Sequence, residues 1–170
     1  ISSWSDGYST SVNADEQVIV YEKITDRAGN VTYINNQEGV IADNTSPTAP
    51  EIKITAAEPA QGIYNASVPF TIDVTDPENG GTYAGLKEVS YEITNNGKVT
   101  QSGNYNSDLS DPTARVHNIH RSETVNAELN NSNHVTIKVK AVDYAGNQSE
   151  ATKDLKIDIT HPEVTITFDL

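Results

Sequence analysis

Cysteine and methionine are both absent from the 170 residues. Without cysteine there is no disulfide framework, no thiolate metal site and no cysteine nucleophile, and the fold is indifferent to redox compartment. No run of about 18 apolar residues occurs, so no segment reads as a membrane-spanning helix and we expect no membrane insertion. Nothing at the start reads as a signal peptide. Both ends, ISSWSDGY and TITFDL, read as cut from a longer chain. Basic charge is scarce: 11 Lys and Arg stand against 24 Asp and Glu, a net charge of −13. Phosphates would be repelled, which argues against nucleic acid and anionic membranes as partners. The same charge keeps a surface soluble and attracts cations.

Thr, Ser, Asn and Val are plentiful, and no long amphipathic helical pattern is visible. The apolar period is two. VPFTIDV puts Val68, Phe70, Ile72 and Val74 on one face, and VSYEI does the same with Val89, Tyr91 and Ile93. HVTIKVKAV aligns Val135, Ile137, Val139 and Ala141, and DLKIDI aligns Leu155, Ile157 and Ile159. Strands alternate their side chains across a sheet, so each segment has one buried and one wet face. Short strands separated by Gly, Asn and Pro clusters predict an all-β sandwich. Its expected core is Ile52, Ile54, Val68, Phe70, Ile72, Val89, Tyr91, Ile93, Val135, Ile137, Val139 and Ile157.

The chain also repeats itself. QVIVYEKITDRAGNVT (17–32) aligns with HVTIKVKAVDYAGNQS (134–149), each a strand followed by an Asp-x-Ala-Gly-Asn turn. Gly accepts positive φ, Asn tolerates it, and Asp bonds the amides ahead of it, so the motif predicts a hairpin tip. GVIADNTSP (39–47) then matches LKIDITHP (155–162), and PEIKI (50–54) matches PEVTI (162–166). A strand ends, a proline-stiffened joint follows, and a new strand begins. So wide a repeat marks tandem modules rather than a solenoid.

These motifs resemble the bacterial immunoglobulin-like domains strung along surface proteins, which commonly close with an Asp-x-Ala-Gly-Asn hairpin and an Asp-Thr-x-Pro joint. GLKEVSYEI (85–93) is similar to their third strand. The resemblance implies immunoglobulin-like β-sandwich modules in tandem. Residues 1–47 are then the C-terminal part of a truncated module, 48–160 a complete one, and 161–170 the first strand of a third. It implies a non-catalytic stalk or spacer of a bacterial cell-surface or secreted protein, extracellular, presenting a distal functional domain, with neighbouring modules as its partners. The alternatives are a direct adhesin, binding host glycan or protein through loops 76–84 and 104–123, and an accessory module of a secreted polysaccharide-degrading enzyme. The unpaired edges of the half module are expected to pair with strand 162–168 or with another chain. DPTARVHNIHRSE (111–123) has no counterpart in the first copy and is expected to be a lengthened loop.

No segment carries a catalytic pattern: there is no nucleophile elbow and no phosphate loop. We assign no catalytic, cofactor-binding or metal residue. The side chains with site chemistry each have a plainer structural role. Asp26, Asp43, Asp76, Glu78, Asp143 and Asp158 gather near module ends, where turn and cap chemistry suffices. Calcium at the joints is the cofactor such oxygens would take. His117 and His120, flanked by Arg115 and Arg121, lack the further ligands of a zinc site and read as a basic island on a solvated loop. Trp4, Tyr8 and Tyr83 have the rings that stack on sugars, but core packing accounts for Trp4. Lys138 and Lys140, considered for an isopeptide crosslink, fall on a polar face.

Overall fold

The computed structural model describes residues 11–37 and 39–168. Strands β5 (Glu51–Ile54), β6 (Val68–Thr75) and β9 (Asn118–Val125) form a three-stranded antiparallel sheet in the order β5-β6-β9. A four-stranded sheet faces it, in the order β11-β10-β7-β8: β7 (Leu86–Asn95), β8 (Lys98–Asn104), β10 (Ser132–Asp143) and β11 (Gln148–Ile157). One 3-10 turn, Asn106–Leu109, crosses between them. The chain is an immunoglobulin-like β-sandwich built without an α-helix among the described residues. No helix among the described residues is long and apolar enough to cross a membrane.

Period-two patterning sets the register. Val68, Phe70, Ile72 and Val74 point inward from β6 against Val89 and Ile93 of β7 and Val135, Ile137, Val139 and Ala141 of β10, all wholly or almost wholly buried. Ile52, Ile54 and Tyr91 are half-buried and packed on this core rather than within it. β5 is an edge strand, and the Tyr91 ring leaves the core edge-on to Phe70, centroids 6.2 Å apart, to reach a polar partner.

One expectation fails within 111–123. Residues 118–123 are not loop but most of β9, paired with β6 from Val68↔Val125 to Thr75↔Asn118. Ile119 and Val125 are buried at its ends, while Arg121 and Glu123 take the positions between. Glu123 accepts hydrogen bonds from the hydroxyls of Tyr91 (3.0 Å) and Tyr105 (2.7 Å), and the Arg121 guanidinium lies 5.4 Å from the Tyr105 ring centroid. A strand whose inward middle is charged shows no apolar alternation, which is why it reads as loop.

The strands of the N-terminal segment pair among themselves. β1 (Glu16–Val18) pairs with β4 (Val40–Ala42), and β2 (Tyr21–Thr25) pairs with β3 (Val31–Asn35) around the first Asp-x-Ala-Gly-Asn turn. Every residue of β2 and β3 is exposed. The expected pairing with 162–168 does not form: residues 161–168 carry no strand and are exposed, and the segment pairs within itself. Val164, Ile166 and Phe168 alternate like a strand, but no described sheet edge takes them.

Candidate metal centre

Three strands end in the same place. Asp43 follows the last residue of β4, Asp76 follows the last residue of β6, and Asp143 is the last residue of β10. One carboxylate oxygen from each lies within 4.8 Å of the other two. Asp76 and Asp143 have no exposed surface, and Asp43 is half-buried.

Each carboxylate is held by the backbone around it. The Thr45 amide donates to Asp43 Oδ1 at 2.9 Å and the Ala84 amide to Asp43 Oδ2 at 2.6 Å. The Gly85 amide donates to Asp76 Oδ2 at 2.7 Å. The second Asp-x-Ala-Gly-Asn turn fixes Asp143: Asn147 donates its amide to Oδ1 and its side-chain NH2 to Oδ2, both at 2.9 Å. Gly85 has to be glycine, because its φ is +88° and a Cβ would stand 2.8 Å from Arg115 Cα. That close approach brings its amide onto Asp76.

Among the described residues no Lys or Arg pairs with the charge here. Asp76 Oδ1 is buried and has no hydrogen-bond partner, as have Thr82 Oγ1 on the same loop and His117 Nδ1. The ion pairs of the described residues lie elsewhere, at His120–Asp73, Arg121–Asp108 and Lys138–Glu150. Burial pushes the Asp76 carboxyl up to about 6; Asp43 and Asp143 add to that push, while the Gly85 amide and the nearby His117 oppose it. A buried carboxylate beside two others needs a proton or a cation.

The structure sorts the sequence candidates. It joins Asp43, Asp76 and Asp143, and leaves Asp26, Glu78 and Asp158 outside the cluster. Asp26 caps its own exposed turn, accepting from the Ala28 and Asn30 amides at 2.8 Å. His117 packs on Tyr83, ring centroids 4.9 Å apart, while His120 meets Asp73 at 2.6 Å, so the two histidines share no partner. Lys138 reaches Glu150 at 2.7 Å from the exposed face. Trp4 and Tyr8 lie outside the described residues. Sequence reading missed Asn147 as the residue linking turn to joint: its NH2 also lies 3.1 Å from the Asp43 carbonyl. The signal was the repeat itself, which sets Asp43 and Asp143 each in a twice-written motif.

The sequence model of the family described as Bacterial Ig-like domain matches residues 4–44 and 60–159. No curated protein matches the chain.

Proposed function

The chain belongs to the bacterial Ig-like domain family, and from that premise we propose that it is a rigid spacer in a bacterial cell-surface or secreted protein, holding a distal functional domain away from the envelope. Domains of this family are structural modules, generally without catalysis, of extracellular and surface proteins.

One observation carries the spacer reading: the joint is not a free linker. From Asp43 to Pro50 the chain is pinned to the end of the sandwich. Pro47 and Pro50 are buried. Thr48 exchanges hydrogen bonds with Thr75, and Ser149 Oγ donates to the Thr48 carbonyl at 2.9 Å. Asp15 reaches across from the N-terminal segment, accepting from Asn79 Nδ2 at 3.0 Å and from the Asn44 amide at 2.9 Å. Gly80 sits so close beneath it that a Cβ would clash with the Asp15 carbonyl oxygen. Proline at fixed φ and side chains bonded across the seam both suppress bending.

The seam also bears on loop 76–84 as a binding surface. Asn79, Gly80 and Ala84 are committed to the joint and Tyr83 is turned onto His117. That favours a spacer over an adhesin using this loop.

The test is a distance. Cysteine is absent, so spin labels on Thr32→Cys and Ser102→Cys would be the only two on the chain. A rigid joint gives a narrow distribution of label separations. A distribution as broad as a flexible linker's would end the spacer reading.

A further inference from the structure

We propose that Asp43, Asp76 and Asp143 form a calcium site that ties the joint to the sandwich. The inference deepens the spacer reading but does not depend on it, since ion binding and joint rigidity are measured separately.

The argument rests on geometry, an orphaned atom and ligand chemistry. Three carboxylate oxygens stand within 4.8 Å of one another. Two oxygens on opposite sides of a calcium ion stand up to about 5 Å apart, against about 4.2 Å for magnesium, whose shorter bonds demand a tighter shell. All three side chains offer hard oxygen, and neither imidazole nor thiolate belongs to the cluster, which disfavours zinc and softer metals. The buried Asp76 Oδ1 has no protein donor, and a bound cation would satisfy it. No Lys or Arg forms an ion pair with these carboxylates among the described residues. The backbone amides of Thr45, Ala84, Gly85 and Asn147 hold the carboxylates before any ion arrives, so binding would cost little ordering entropy. Water and nearby carbonyls would complete the six to eight oxygens calcium takes.

The repeat supplies internal controls. Asp158 Oδ1 accepts from the Thr160 amide at 2.9 Å, as Asp43 Oδ1 does from Thr45. Asp26 and Asn30 reproduce the bonds of Asp143 and Asn147. Each copy has the local geometry of one ligand but lacks the other two carboxylates. Local turn chemistry is therefore present at Asp26 and Asp158, and among the described residues the carboxylates converge only at the joint.

The experiment titrates the whole chain, stripped with chelator, with calcium chloride in a calorimeter, alongside thermal melts. We expect one ion per chain, with a dissociation constant of about 10⁻⁴ to 10⁻³ M as in extracellular modules, and a midpoint raised by several degrees at saturation. Asp76→Asn should weaken binding at least about tenfold, the scale of removing one charged ligand, while Asp26→Asn and Asp158→Asn leave it unchanged. Should Asp76→Asn fail to fold by circular dichroism, Asp43→Asn on the half-buried joint carries the same test. Four results would overturn the proposal. One is no heat and no shift in midpoint with calcium at about 10 mM. Another is magnesium giving the same response, the mark of general attraction to an acidic surface. The third is binding that survives both Asp76→Asn and Asp43→Asn, and the fourth is binding lost in Asp26→Asn.

Discussion

Phe70 is the largest of the wholly buried side chains, and it touches both sheets' chemistry through the edge of Tyr91. Truncation to alanine empties the middle of the core. Phe70→Ala should cost about 3–5 kcal/mol, read by urea denaturation, and a loss under about 1 kcal/mol would mean that the face does not pack as described. Tyr91 and Tyr105 make a different residue-scale claim. Burial, then the hydrogen bond to Glu123 and its charge, push the Tyr91 phenol up to about 12, and Tyr105 is pushed up by the same causes. The folded chain therefore keeps phenolic protons that the unfolded chain releases near pH 10. Stability is full below that pH and declines as pH rises from about 10 towards 12. Unfolding at pH 8 and at pH 10.5 should show the decline, and the double variant Tyr91→Phe, Tyr105→Phe should flatten it. Phe70 was legible in the sequence because alternation alone places it inside. The Glu123 pair was not, because nothing in a linear pattern says that an inward carboxylate will meet two hydroxyls from β7 and the chain beyond β8.

Two elements share one spelling and differ in consequence. The turns at Asp26–Asn30 and Asp143–Asn147 have the same hydrogen bonds, yet one is a solvated tip and the other touches the joint through Asn147. Asn147→Ala should lower the midpoint of the sandwich and cost about 1–2 kcal/mol, the range of a half-buried hydrogen-bonded side chain. Asn30→Ala should leave the sandwich's midpoint where it is. Equal effects in the same melts would remove the joint contact from the account. The loop before β7 makes its own prediction. Gly85→Ala meets both a left-handed backbone and the Arg115 backbone, and should cost about 1–3 kcal/mol while pulling the amide off Asp76. β6, β7, β10 and β11 were readable as elements because their inward positions are apolar. β9 was hidden because Arg121 and Glu123 occupy the middle of its inward face.

At the scale of the molecule, an N-terminal segment with little core of its own is held to a sandwich with a full one. The seam between them is polar, made by Asp15, Asp43, Thr45, Asn79 and Asn147. Asp15→Ala removes the bonds to Asn44, Thr45 and Asn79 together, and should broaden the separation of labels at positions 32 and 102 without lowering the sandwich's midpoint. An unchanged distribution would place the stiffness in the prolines instead. The net charge of −13 acts at this scale as well. Self-repulsion is screened by salt, so in chelator the midpoint should rise by a few degrees between about 10 mM and 300 mM sodium chloride. A flat response would mean that the acidic groups are too dispersed to matter.

The all-β class, the inward faces of the main strands, the Asp-x-Ala-Gly-Asn hairpins and the proline joint were all readable from the order of residues along the chain. Each is a local consequence of side-chain alternation or backbone preference, complete within about ten residues. It took the packing of the sandwich against the joint to bring Asp43, Asp76 and Asp143, from three strand ends far apart in the chain, within 4.8 Å of one another while Asp26 and Asp158 stay apart. Asp26 and Asp143 are the same residue in the same turn. What separates them is whether folding brings two other strand ends to meet it.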